Sequence, residues 1–351
     1  MRIAVDVGFG FIKAMNQNNE KIRFPSVVSK KSENSLKGIV GGTGDDYSVT
    51  YWEVSQSGEN VNQKKLYIGD AGLSNGGTRK WEDKDKFNVE DIKIFIVTAV
   101  GLLNPENESV DLCLGLPMSY YLTKKEELYE GLKDLNARIS IMGQRGLREV
   151  KFSSIFVFPQ GAGAYYSSFC DINGNINDYE FAQSNVGVID IGFRTVDFLV
   201  MMKGRNGIQI SDNLSGSLEE DGMNTALQNI QKAISNDERV NREVALEEIE
   251  KAMLWFNSRF DFRRETIDLT EYEDQAYRES AEEIISKIKI RWGAEGDLLS
   301  RVVITGGGAE ELFPYMRDKF DTAILQEDCA FGNCKGYLAA QAVKMKAEKE
   351  I

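Results

Sequence analysis

The sequence predicts an α/β protein made of two duplicated domains, each carrying a small inserted subdomain. Three observations carry that expectation. The chain has 351 residues, which fits two domains of common size. Apolar strand candidates alternate with helix candidates along it. One short pattern also occurs twice, half a chain apart. Val5-Asp6-Val7-Gly8-Phe9-Gly10-Phe11-Ile12-Lys13 lies over Ile189-Asp190-Ile191-Gly192-Phe193-Arg194-Thr195-Val196-Asp197.

In chain order, Arg2 to Val7 reads as a buried strand entering a tight turn. Phe11 to Met15 returns as the second arm of a hairpin, and Lys21 to Val28 supplies a third strand. From Ser29 to about Asp85 the composition turns to Ser, Asn, Gly and Lys, with short strands at Tyr47 to Val54 and Lys65 to Ile68. That stretch is expected to be the first insertion. A helix over Asn88 to Leu103 stops at Asn104-Pro105, a buried strand follows at Val110 to Leu116, and Leu122 to Leu135 is a charged amphipathic helix.

The second half opens near Pro159 with a tightly packed helix from Gly161 to Phe169. Strands are expected at Val186 to Ile191, Thr195 to Met202 and Gly207 to Ser211, then a helix from Leu218 to Ile234. Two charged helices, Glu243 to Phe260 and Tyr272 to Trp292, make the second insertion. A strand from Arg301 to Thr305, three glycines, a helix to about Lys319 and a last helix from Ala330 to Lys349 complete the chain. The first domain is expected to take 1–160 with 330–351, its insertion at about 29–85. The second takes 161–329, its insertion at about 237–297.

Composition removes several kinds of chemistry. With no histidine there is no Ser-His-Asp or Cys-His nucleophile and no histidine metal site. The four cysteines, Cys113, Cys170, Cys329 and Cys334, form no C-x-x-C pair and read as reduced, buried thiols of a cytoplasmic protein. The net charge of −13 argues against a broad DNA-coating surface. The N-terminus has Asp6 inside its first apolar run and reads as no signal peptide. Ile92 to Leu103 is too short to span a bilayer, so no membrane association is expected.

The repeat has a chemical reading. A strand ending in Asp-x-Gly puts a carboxylate at its tip, and the glycine lets the backbone turn with amide N–H groups toward an anion. Two such hairpins facing each other suit a polyphosphate, and Asp6 and Asp190, acting through water, suit a hydrated Mg²⁺. Gly306-Gly307-Gly308 after a strand and before a helix permits close approach of a nucleotide. The segment 255–264 mixes aromatic and basic residues, which in so acidic a chain suits a helix end or a protomer contact better than nucleic-acid stacking.

At this point the sequence resembles the actin, Hsp70 and sugar-kinase ATPase superfamily, and within it the bacterial actin-like ParM/StbA plasmid-segregation group. Five motifs carry the resemblance. Asp6-Val7-Gly8-Phe9-Gly10 with Lys13 is similar to the first phosphate loop, and Asp190-Ile191-Gly192-Phe193-Arg194-Thr195 with Asp197 to the second. Phe158 to Ala164 and Ala330 to Gly336 resemble the two connecting helices, and Val303 to Ala309 the adenosine motif. Tyr67-Ile68-Gly69-Asp70-Ala71 resembles a segment of the ParM-type insertion.

The resemblance implies actin-like, ribonuclease-H-type duplicated domains with a nucleotide cleft between them. It implies ATP (or GTP) with Mg²⁺ as cofactors, and hydrolysis coupled to a filament that the chain forms with itself. A DNA-binding adaptor protein is the expected link to plasmid DNA. Asp6 and Asp190 would face magnesium through water, and Gln160, with Asp190 as a second candidate, would position the attacking water; these three are the expected catalytic residues. Lys13 would reach the β- or γ-phosphate. Gly8, Phe9, Gly10, Gly192, Phe193, Arg194 and Thr195 would contact phosphate. Gly216, Gly306, Gly307 and Gly308 would border the ribose or base. The fold also serves small-molecule kinases, for which no segment here supplies a clear substrate base. It serves chaperones as well, whose substrate domain would have to follow Ile351. An inactive structural filament is disfavoured by the presence of Asp6, Gln160 and Asp190.

Overall fold

The computed structural model describes residues 1–31, 47–55, 57–77, 89–205 and 207–349. Much of the expected first insertion, 32–46, 56 and 78–85, together with the helix start at Asn88, lies outside the described residues. The chain divides into two units, 1–182 with 330–351, and 183–329.

The first unit begins with β1 (Arg2–Val7) and β2 (Phe11–Asn16), an antiparallel hairpin, followed by β3 (Lys21–Pro25) on β2. Next come β4 (Val28–Lys30), β5 (Ser48–Val54), β6 (Asn60–Ile68), the short helix α1 (Asp70–Ser74) and α2 (Val89–Leu103). Then follow β7 (Val110–Leu116), α3 (Met118–Leu132), β8 (Asn136–Ile141), β9 (Arg148–Pro159) and α4 (Ala162–Ser167). The strands form one sheet in the order β3-β2-β1-β7-β9-β8-β5-β6-β4.

Strand β9 joins the two halves of that sheet. Its first residues pair antiparallel with β8, and its last pair parallel with β7. The sequence reading assigned no structure to 136–159. Ala137, Ile139 and Ile141 nonetheless alternate buried with half-buried neighbours, the period-2 mark of a strand with one covered face.

The second unit starts with β10 (Val186–Ile191) and β11 (Thr195–Gly204), again an antiparallel hairpin, with β12 (Gly207–Ile210) and β13 (Gly216–Glu219) both pairing with β11. Helices α5 (Met223–Ser235) and α6 (Leu246–Trp255), the hairpin β14 (Arg259–Phe262) and β15 (Glu265–Asp268), and the long α7 (Thr270–Trp292) follow. β16 (Arg301–Thr305), α8 (Ala309–Met316) and β17 (Ala323–Leu325) complete the unit. Its main sheet runs β12-β11-β10-β16-β17. The chain then returns to the first unit as α9 (Gly332–Lys349).

The duplication therefore reaches well beyond the short motif. Five strands of the first sheet, β3-β2-β1-β7-β9, match β12-β11-β10-β16-β17 in order and in direction, antiparallel at the hairpin and parallel beyond it. Alternation along β1 assigns its two faces. Ile3, Val5 and Val7 pack with Ile92, Ile96 and Val100 of α2. Ala4 turns to the other face, against Cys334, Tyr337 and Leu338 of α9.

Two expected helices are corrected. The helix placed at Leu218 begins only at Met223, because Ser217 and Leu218 pair with Asp197 and Val196 as an edge strand. Glu219 ends that strand opposite Thr195, and Glu220, at φ 68°, and Asp221 lead into Gly222 before the helix. The helix placed over Glu243 to Phe260 starts at Leu246 and stops at Trp255. Asn257 and Ser258 turn left-handed there, and Phe260 and Phe262 belong to the β14–β15 hairpin.

Candidate nucleotide site

Each hairpin brings a carboxylate to the end of a central strand. Asp6 shares the face of Ala4, two residues before it, and so lies under α9 rather than in the α2 core. Its ladder partner is Lys13. Both are buried, and the Lys13 Nζ stands 4.0 Å from Asp6 Oδ2. Gln160 follows β9 directly, held by its backbone N–H on the Leu116 carbonyl at 2.7 Å. From there its Nε2 donates to Asp6 Oδ1 at 2.7 Å. Burial raises the Asp6 pKa above 3.8, while the Lys13 charge and the Gln160 hydrogen bond pull it down. The strand tip is thus a buried carboxylate with one cation and one amide on it.

The turn after Asp6 is tight. A side chain at Gly8 would come within 2.8 Å of the Phe11 carbonyl. Ser26 ties the turn down, its Oγ donating to the Gly8 carbonyl at 2.6 Å and its N–H to Gly10 at 3.0 Å. Phe9 packs on Tyr120 with ring centroids 5.5 Å apart. The second turn repeats this geometry: a side chain at Gly192 would come within 2.8 Å of the Thr195 carbonyl. Shared backbone at two points of one chain is what the sequence repeat encodes.

The side chains differ. Where Asp6 pairs with Lys13, Asp190 pairs with Asp197. Asp190, Arg194, Thr195 and Asp197 are all buried. Asp197 Oδ1 accepts a short hydrogen bond from Ser217, and Thr195 Oγ1 lies 3.5 Å from its Oδ2. Arg194 reaches Glu220 at 3.7 Å. The carbonyls of Gly192, Phe193 and Arg194 accept from Met223, Asn224 and Gly222, so the start of α5 is fastened to the turn.

The glycines after β16 close on the same turn. Gly306, at φ 98°, has Asp190 Oδ1 and the Ile191 carbonyl where a Cβ would stand. Gly308 donates to the Ile191 carbonyl at 3.0 Å, and Gly307 between them is exposed. Gly216 lies on β13 beside the Phe198 ring, 3.1 Å from where its Cβ would be. The second unit therefore gathers Asp190, Gly192 to Thr195 and Gly306 to Gly308 around one strand end. In the first unit Asp6, Gly8 to Gly10, Lys13 and Gln160 gather around the other.

Sequence reasoning missed Asn333. Its Oδ1 accepts from Gly161 N–H at 3.1 Å and Ala164 N–H at 3.2 Å, capping α4, whose own cap residue Gly161 has no side chain. The signal was present as Asn at the head of the last helix, but its target lies 172 residues away. Ser26 was missed for a similar reason, since nothing local marks it as the anchor of the Gly8 turn.

The donor set suits a hydrated divalent cation. Mg²⁺ keeps several waters and takes one or two carboxylates together with substrate phosphates. In the second unit Asp190 and Asp197 are two buried carboxylates paired on adjacent strands, and in the first unit Asp6 is a buried carboxylate at its own strand end. Among the described residues no group of three Asp, Glu or Cys forms a closed protein cage.

Comparison with known proteins agrees with the fold. Residues 4–163 match the family model described as the N-terminal domain of actin-like proteins, and residues 188–318 match the C-terminal model of the MreB-like archaeal actin homologue. An archaeal actin homolog of Thermoplasma volcanium is 25% identical over 95% of this chain and 97% of its own. A 15-stranded ParM filament structure from Clostridium botulinum superposes with TM-score 0.80, 25% identity and coverage of 100% and 99%. Bacillus thuringiensis ParM with AMPPNP superposes with TM-score 0.69 at 17% identity, over 97% and 98% of the chains. Among the described residues no helix is long and apolar enough to cross a membrane.

Proposed function

The chain belongs to the actin-like proteins, and from that membership we propose that it is an ATPase that assembles into filaments in a nucleotide-dependent way. The observation that carries the reading is the doubled turn. In both units an Asp-x-Gly-Phe segment ends the central strand of a sheet with the same strand order. Two such turns, each with backbone N–H groups and a carboxylate at a strand end, suit a nucleoside triphosphate with a divalent cation. The AMPPNP bound to one structural neighbour and the filament formed by another support the two halves of the proposal.

Each residue has a role in this reading. The backbone of Gly8 to Gly10 and of Phe193 and Arg194 lies against phosphate oxygens, Gly192 N–H holds its turn closed on the Thr195 carbonyl at 2.9 Å, and Lys13 and Thr195 add a cation and a hydroxyl. Asp6 in the first unit and Asp190 in the second are the carboxylates that would hold a hydrated Mg²⁺, whose charge would offset that of the phosphates. Gly216 and Gly306 to Gly308 border the ribose and base. Gln160 turns Nε2 onto Asp6, which leaves Oε1 as the amide atom for a water. That water attacks the γ-phosphorus, the bond to the β–γ bridging oxygen breaks, and ADP leaves with the electron pair. Loss of the γ-phosphate then weakens the filament. The cargo is plasmid DNA, reached in the cytoplasm through a basic adaptor, since a chain of net charge −13 is a poor DNA ligand itself.

Right-angle light scattering and electron microscopy after addition of ATP and Mg²⁺ test the reading. Filaments that a chelator prevents are expected. A chain that stays monomeric at high concentration with every nucleotide overturns the polymer and favours a small-molecule kinase.

A further inference from the structure

Each turn has a buried cation close to it. In the first unit that is Lys13, across the hairpin from Asp6. In the second unit Asp197 takes the ladder position of Lys13, and the cation comes from the turn itself. Only 8% of the Arg194 side chain is exposed. One of its partners is Glu220, at 3.7 Å, whose own side chain is 68% exposed. The phosphate role given above to Arg194 uses its backbone, and the guanidinium has no part in it.

Glu220 sits in an uncommon conformation. At φ 68° it is a non-glycine residue in the left-handed region, where its Cβ crowds the backbone. Its carbonyl accepts a short hydrogen bond from Thr225 Oγ1, in the first turn of α5. The residues between are fastened to the phosphate turn. Gly222 donates to the Arg194 carbonyl at 3.0 Å, Met223 to Gly192 at 3.1 Å and Asn224 to Phe193 at 2.7 Å. A Cβ on Gly222 would stand 2.5 Å from the Phe193 carbonyl, so the two backbones touch directly.

What happens at this contact reaches the rest of the unit. From α5, Ala226, Leu227, Ile230 and Ile234 enter the apolar cluster that holds α6, the β14–β15 hairpin and the start of α7. Phe193, inside the phosphate turn, packs against the same cluster. Turn and insertion are therefore joined by three backbone hydrogen bonds and one ring.

The ion pair itself is weak, because so exposed a carboxylate is well solvated. A phosphate group is the stronger partner. It carries more charge, and its oxygens fit the guanidinium fork with two parallel hydrogen bonds. A guanidinium that starts on a phosphate turn can serve one anion or the other.

We propose that Glu220 is a built-in competitor for nucleotide phosphate, holding the Arg194 guanidinium until a phosphate takes it. The exchange frees Glu220, and the segment from Glu219 to Gly222 loses one of its ties to the turn. The proposal rests on the nucleotide reading above and names the regulation of that site. By linkage, whatever holds Arg194 on Glu220 lowers the affinity for phosphate by the same factor.

The test measures ATP–Mg²⁺ affinity by calorimetry in the full chain. Glu220→Gln should bind about threefold more tightly than the parent, the size of a weak exposed pair. Glu220→Asp keeps the charge but is one methylene shorter, and should show the same gain. Arg194→Met should lose about tenfold, and adding Glu220→Gln to it should change nothing further, because the two residues act through one contact. Amide exchange at Gly222 should be faster in both Glu220 variants without nucleotide. Faster exchange with parent affinity makes Glu220 a structural tie only and overturns the proposal. A gain from Glu220→Gln that persists beside Arg194→Met, or is missing from Glu220→Asp, is a general charge effect and also overturns it. Should Arg194→Met fail to fold, the Glu220→Asp comparison decides alone. A parent that binds no nucleotide overturns the competitor and the nucleotide reading together.

Discussion

Asp6, Lys13 and Gln160 show what sets the charge of one buried carboxylate. Burial raises its pKa, and the lysine and the amide oppose that. For a carboxyl raised in the folded state, the protonated form favours the fold. That stabilisation is full below pH 3.8 and is lost as pH rises through the raised value. In the proposed role beside magnesium, binding has the opposite sign, because only the ionised form would serve the ion. Gln160→Ala removes one of the two groups that lower the pKa. The acid limb of ATP–magnesium affinity should therefore move to higher pH in the variant. Calorimetric titrations from acid to neutral pH check this, and superimposable profiles would refute it. The same variant should hydrolyse ATP about 100-fold more slowly, as loss of a transition-state hydrogen-bonding group does, while filaments still form and outlive the parent's. Phosphate release and filament lifetime measure both. Asp6→Ala should instead lose nucleotide binding and assembly together. At this scale the Asp-x-Gly residues were legible because their chemistry is local. Asn333 and Ser26 were not, because their partners are distant in sequence.

At the level of elements, the contact of α4 with α9 is set by glycines. A Cβ on Gly336 would fall on the Gly163 carbonyl, and one on Gly163 would meet the Asn333 backbone. Backbone cannot swing aside as a side chain does. Gly336→Ala should therefore cost about 3 kcal/mol or more, as overpacking between elements does. Gly143 is a useful contrast, since it has φ 82° but open space around its Cβ position. Gly143→Ala should cost only about 1 kcal/mol, the left-handed backbone penalty. Urea midpoints for the two variants decide it, and equal losses would show that the α4–α9 contact relaxes. The motif at Ala330 to Gly336 could be read as a helix with small residues. What those glycines press against became visible only when α4 was set beside them.

For the molecule as a whole, the two units differ in how the chain builds them. The clusters around Ile189 and Ile230 draw only on residues within 183–329. That segment expressed alone should unfold cooperatively in urea. Residues 1–182 alone should not, because Tyr337 and Leu338 of α9 fill the face behind Ala4 and Cys113. A cooperative transition for 1–182 would show α9 to be dispensable. Net charge acts at this scale too. At −13, the chain alone should give no gel shift with duplex DNA at moderate salt, and an added basic adaptor should restore one.

The sequence alone determined the duplicated Asp-x-Gly-Phe turns and the exclusion of histidine chemistry. It also placed most strands and helices, since strand periodicity, turn glycines and composition are properties of neighbouring residues. Tertiary structure decided where the chain's local signals were ambiguous. The four-residue strands β13 and β14 are too short for their alternation to outweigh a helical reading of the residues around them, and only the partner strands β11 and β15 settle their state. It alone made Gln160 a partner of Asp6, because 154 residues separate them and it is the parallel order β1-β7-β9 that brings their strand ends side by side.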